Sequence, residues 1–241
     1  MIKLNYLITG TGRCGTNFMA RVLHSCGICC GHETIFDNQG INVALERLEE
    51  EIPLRLSWVS ARTGHGWWHP YGLQAESSYM AAPYLAHECL KDTFVVHIVR
   101  HPLEVISSFL LDIEHFCNPP NPKVKQWEDF IYFHLPELLE IDNPIERVCL
   151  YYIKWNSMIE KQSNVLHKIE TDAKVFLNSL GVQTPSTIFS DKTANKWGKR
   201  DKNFSLEDIP NGKIKDEFVH FIEKYQYPHE IKFEPIQKLL I

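Results

Sequence analysis

The sequence predicts an α/β fold, a three-layer α/β/α arrangement around a central parallel sheet, and three observations carry that prediction. Three apolar runs, Leu4 to Thr9, Thr93 to Val99 and Val165 to Ile169, have the length and aliphatic content of buried strands. Helical patterns separate them, and a strand reached through a helix crosses over to lie parallel to the one before it. The chain has 241 residues, enough for one well-buried domain and short for two, with no repeat or low-complexity linker to divide it. A single domain over residues 1–241 is expected.

The elements follow in order. The first strand runs into GTGRCGTN and at once into a helix from Asn17 to Ser25. The second strand is followed by a helix from Pro102 to Leu111, with Pro102 placed at a first helical turn. Phe116 to Val124 holds three prolines and reads as a loop. Pro144 opens a longer helix in which Val148, Tyr151, Tyr152, Trp155 and Ile159 recur at helical spacing, a face that packs on a core. Asp191 to Lys202 is polar and basic, a surface loop. Ser205 with Asp208 forms a helix-start box before Ile209, and Ile214 to Tyr225 reads as a terminal amphipathic helix.

Hydrophobic content of 44% and charged content of 23% are globular values and exclude a disordered or fibrous chain. A formal net charge of −5 gives no global attraction to nucleic acid or to anionic lipid, so an anionic ligand has to be held by a local site. The first residues, MIKLNYLITGTGRCG, lack the long apolar region and cleavage site of a signal peptide, and no stretch is apolar enough to span a membrane. The expected location is cytoplasmic, with reduced thiols. Cys26 and Cys29 form a C-x-x-C, but no second pair or histidine pair completes a metal site, and Cys26, Cys29 and Cys30 read as small hydrophobes.

Two segments carry chemistry. Gly10 to Asn17 follows a strand and opens a helix, the setting in which backbone N–H groups and a helix N-terminus meet a phosphate. The spacing Gly10 to Gly15 matches G-x-x-x-x-G. Thr16 and Asn17 stand where a nucleoside triphosphatase needs lysine and then serine or threonine, and Arg13 is the cation of the loop, which disfavours an ordinary ATP or GTP hydrolase. The second segment, VVHIVRHPLEVISSF, places Arg100 at a strand's end and Ser108 on the following helix, an arginine fork and a hydroxyl able to face one phosphate.

Together, GTGRCGTN (Gly12, Arg13, Cys14, Gly15, Thr16, Asn17) and RHPLEVISS (Arg100, Ser108) resemble the sulfotransferases that use 3′-phosphoadenosine-5′-phosphosulfate, PAPS, a family with a P-loop-like core. The resemblance implies that the first loop binds the 5′-phosphosulfate, that Arg100 and Ser108 bind the 3′-phosphate, and that 3′,5′-diphosphoadenosine is the product, with no metal required. The stretch TGRCGTNFMARVLHSCGICCGHET is most similar to tyrosylprotein sulfotransferases and their bacterial relatives, and YYIKWNSMIE, VLHKIETD and SLEDIP echo bacterial members.

The same resemblance implies in-line sulfuryl transfer to a hydroxyl or amine, with Arg13 stabilising charge and Glu33 as the base that takes the acceptor's proton. His32 is the alternative base. A neighbouring arginine would hold the Glu33 carboxylate ionised and burial would oppose this, so its basicity stays open at this point. His65, His69 and His87 lie between the two motifs, where cytosolic sulfotransferases carry a catalytic histidine. Trp67 and Trp68 in GHGWWHP form either an acceptor wall or plain packing. Glu76 to Ser78 lies where bacterial relatives carry Glu-Lys-Thr, here without the lysine. Lys192, Lys196, Lys199 and Arg200 either close over the donor or form a solvated loop. The acceptor class, sugar, lipid, small molecule or peptide, is not encoded in a portable motif. Two other readings remain at this stage: a P-loop kinase or hydrolase with an atypical loop, and a non-catalytic nucleotide-binding relative.

Overall fold

Alternation within the strands decides the architecture. In the second long strand, Val95 and Val99 enter one apolar cluster while Val96 and Ile98 enter another, and Leu7 and Ile8 divide in the same way. A strand buried on both faces has to be covered by helices on both faces. The computed structural model describes residues 3–49, 72–112, 114–117, 120–184 and 204–230.

The strands are β1 (Tyr6–Thr9), β2 (Cys30–His32), β3 (Ala75–Ser77), β4 (Phe94–Val99) and β5 (Val165–Lys168), and the α-helices are α1 (Thr16–Ser25), α2 (Ile41–Glu49), α3 (Pro102–Ser107), α4 (Lys125–His134), α5 (Pro144–Glu160), α6 (Ala173–Ser179) and α7 (Lys213–Lys224). All strand pairs are parallel, in the order β2-β3-β1-β4-β5. One face of the sheet is covered by α1 and α6, through Phe18, Met19, Val22, Leu23, Phe176 and Leu177. The larger core, on the other face, is built from α2, α3, α4, α5 and α7 around Trp155, Tyr151 and Tyr152.

The expected strands and helices are present with ends moved by one or two residues. The helix expected over Pro102 to Leu111 differs more: regular α-helix stops at Ser107, and Ser108–Asp112 is a wider π-helical turn. Ser108 opens this turn, and its side chain is bonded on both sides, as described below. Ser205 and Asp208 do form a reciprocal cap, but on a single 3-10 turn, Leu206–Asp208. Strands β2 and β3 and helices α2, α4 and α6 were not anticipated. No helix of the described residues is long and apolar enough to cross a membrane.

From β1 the chain moves toward one edge of the sheet, and from its neighbour β4 toward the other. Ligands of open parallel sheets sit at such a reversal, beyond the carboxyl ends of the strands. Gly10 to Gly15 leaves the end of β1, and Arg100 leaves the end of β4.

Candidate functional site

The loop from Gly10 to Gly15 is shaped by its own side chains. Gly15 takes φ +103° to turn directly into α1 and its Cα lies against Ile169, so a side chain there would meet strain and a filled space together. The Cys14 thiol donates to the Thr11 carbonyl at 2.7 Å, and burial pushes it up to about 12. It is a neutral structural group, so Cys14 contributes its backbone to the loop. The Gly12 N–H donates to the buried Tyr151 hydroxyl of α5 at 2.9 Å. The first turn of α1 carries no acidic residue. Among the described residues, three buried side-chain oxygens at or beside the loop, Thr9 Oγ1, Thr11 Oγ1 and Asn17 Oδ1, have no hydrogen-bond partner.

Arg13, Arg100 and Ser108 come together. Arg13 stands at φ +66°, a left-handed conformation uncommon for a residue with a side chain, and its Nε donates to Ser108 Oγ at 2.8 Å. Ser108 in turn donates to Asp112 at 2.9 Å, across the π-helical turn. Arg100 donates to the Arg13 carbonyl at 3.1 Å and pairs with Glu104 one helical turn on. Arg13 is thus bonded to Ser108 through its side chain and to Arg100 through its carbonyl, which makes one connected set of the three residues. Glu104 and Asp112 hold it in place from behind.

The candidate base arrives from the other half of the sheet. Strand β2 ends at His32, whose Nε2 lies 3.2 Å from Thr16 Oγ1 and 3.9 Å from the Glu33 carboxylate. Glu33 also has positive φ, +53°. Strain of this kind persists where surrounding structure over-determines it, and here the next three residues are stapled by side chains. Glu76 accepts from the Thr34 and Ile35 amides at 2.6 and 3.0 Å, and Arg47 of α2 donates to the carbonyls of the same two residues at 3.1 Å each. Ser78 donates to the Phe36 carbonyl at 2.7 Å. Ser77 donates to the Thr16 carbonyl at 2.8 Å, tying β3 to the start of α1.

Tyr79, directly after this segment, is buried, and burial pushes its phenol up; Glu33 and Tyr151 add to the shift and Arg13 opposes it. Both Arg13 and Glu33 thus lie within electrostatic reach of the Tyr79 hydroxyl. Gly31 is needed for the arrangement. A Cβ there would lie 2.1 Å from Glu76 Oε2 and 2.8 Å from Thr34 Oγ1. Gly31→Ala is expected to destabilise the chain by about 2 kcal/mol, a usual cost of an added methyl in a filled site, read as a lower urea midpoint at constant slope. An unchanged midpoint would show that Glu76 has room to move aside.

Of the histidines considered, His87 is exposed and caps a short 3-10 turn by accepting from the Cys89 amide at 3.3 Å, a local structural role. His65, His69, Trp67, Trp68, Lys192, Lys196, Lys199 and Arg200 lie outside the described residues. Cys29 and Cys30 are buried, and burial pushes both thiols up. Sequence reasoning missed Tyr79 and Tyr151 as parts of the site. Their signal was the helical periodicity of α5 and the run after Glu76, which read equally well as core. The chain matches no family model and no curated protein.

Proposed function

We propose that this chain is a PAPS-dependent sulfotransferase, and one observation carries the reading most: Arg13, Arg100 and Ser108 form one hydrogen-bonded cluster at the ends of β1 and β4, with the His32–Glu33 pair facing it from β2. Two arginines and a hydroxyl suit a nucleotide bearing phosphates at two positions. Thr11 Oγ1 and Asn17 Oδ1, buried without partners among the described residues, fit a polar group seated in the loop. The residues therefore suit PAPS, whose sulfuryl group is the chemistry it supplies.

In this reading the acceptor oxygen bonds to sulfur while the bond from sulfur to the 5′-phosphate oxygen breaks. Arg13 and the N-terminus of α1 stabilise the charge that builds on that bridging oxygen. The acceptor's proton passes to the Glu33 carboxylate, with His32 fixed beside it. Tyr151 stays neutral and holds the loop through the Gly12 amide. Thr16 and Asn17 in the positions of lysine and a magnesium-binding hydroxyl disfavour nucleoside triphosphates.

Arg100→Ala is expected to weaken 3′,5′-diphosphoadenosine binding by about 2 kcal/mol, because a charge-assisted contact and the bond to the Arg13 carbonyl are both lost. Ser108→Ala removes a neutral hydroxyl and costs less. Calorimetric titration of both variants checks this, using the 3′-hydroxyl analogue as a control: the preference for the 3′-phosphate shrinks in each. No binding of the diphosphate to the wild-type chain, with magnesium-dependent binding of ATP in its place, would turn the assignment toward a kinase.

A further inference from the structure

Glu76 is a fully buried acidic residue that this mechanism leaves unused. It lies in the middle of β3, opposite Leu7 on one side and Gly31 on the other, and its side chain is fully buried. Oε1 holds the Thr34 and Ile35 amides. Oε2 has no hydrogen-bond partner among the described residues and is aimed at the bare Cα of Gly31.

The titratable and charged groups around it are few. Glu33 is on the turn it holds, Cys30 on β2 with Cys29 beside it, and Arg47 of α2 reaches only the carbonyl side of the Thr34 and Ile35 peptides, where it pairs with Asp37 at 2.8 Å. Among the described residues no cation bonds to Glu76.

We propose that Glu76 is a positioning residue for Glu33, whose buried carboxyl fixes the His32–Glu33 turn from beneath through the Thr34 and Ile35 amides. This rests on the sulfotransferase reading for what Glu33 does, while the hold on the turn stands without it. A carboxyl at this depth with no cation is stable as the neutral acid. Burial pushes Glu76 up to about 8 against the opposing pull of the Ile35, Thr34 and Phe36 amides, and the Glu33 charge adds to the rise. Its proton sits on Oε2, and Oε1 remains a double acceptor. A second negative charge is thereby kept away from Glu33, and the turn keeps its hold across the pH range in which Glu33 is to act as a base. Two carboxyls in unlike environments divide the roles of charged base and neutral support.

The test uses the full chain labelled with 13C at glutamate carboxyls, in wild-type and Glu76→Gln forms, with Glu76→Ala for amide exchange. In the wild type the Glu76 signal is expected to titrate near 8. Glu76→Gln copies the neutral acid, so it should remove that step and leave the Glu33 midpoint within about half a unit of the wild type. Exchange at the Thr34 and Ile35 amides should stay near wild type in Glu76→Gln and rise by roughly tenfold or more in Glu76→Ala. A Glu76 midpoint in the ordinary carboxylate range, or a Glu33 midpoint displaced by about a unit or more in Glu76→Gln, overturns the proposal. If Glu76→Ala does not fold, the wild-type and glutamine titrations decide alone. Calorimetry with 3′,5′-diphosphoadenosine on the same samples tests the sulfotransferase reading separately, since its failure leaves the Glu76 result intact.

Discussion

Replacing Glu33 by glutamine is expected to lower turnover by about two to four orders of magnitude while leaving 3′,5′-diphosphoadenosine binding close to that of the wild type. Glutamine keeps the volume of the side chain and its place on the turn held by Glu76 and Arg47, so the geometry of the site survives. What it loses is the group that accepts the acceptor's proton. Turnover is read as release of 3′,5′-diphosphoadenosine from PAPS across a panel of hydroxyl acceptors, with calorimetry on the same protein. Arg13→Ala supplies the contrast: Arg13 touches Ser108 and carries Arg100 on its carbonyl, so both binding and turnover should fall. If Glu33→Gln turned over normally and His32→Gln did not, with the diphosphate still bound, the base would be the histidine beside Thr16.

The second large effect is on stability and depends on pH. Glu76 rises from the usual 4.5 to about 8 in the folded chain. A group raised on folding contributes stability that is complete below its unfolded value and is lost as pH rises through the folded one. Glu76→Gln has no such proton to lose. Compared with the wild type it should therefore gain stability between about pH 4.5 and 8 and level off above, with a final difference on the order of 5 kcal/mol. Urea unfolding at a series of pH values gives this difference directly. A difference that stays flat across the series would show that Glu76 is charged in the fold.

Why some of this was legible in the sequence and some was not follows from particular residues. Strands β1 and β4 were visible because apolar runs are what burial on both faces demands, whereas β5 lies at the sheet edge with Leu166 exposed. The stretches CGH and AES that form β2 and β3 are three residues long and carry a glycine, a histidine and a glutamate, and no hydrophobic pattern predicts them. Glu76 is fully buried in mid-strand, a placement that residue type does not reveal. The loop and the arginine–serine spacing could be read because backbone turns and charged contacts need particular residues at particular intervals. The cluster they form could not, since it depends on Arg13 turning toward Ser108 at a left-handed backbone position. Helices α2, α4 and α6 are short and bury only two or three residues each, too few for a helical period to stand out.

The two halves of the sheet are fastened by different means. Strands β1, β4 and β5 pair over four residues at each contact, whereas β3 pairs with β1, and β2 with β3, over three, and the turn beyond β2 hangs on side chains of Glu76, Arg47 and Ser78. On the proposed function, the half that would grip nucleotide is thus laced by backbone, and the half that would present the base by a few replaceable side chains. On that proposal, substitutions in those few would silence chemistry while capture of the nucleotide continued, so the two losses are separable by construction.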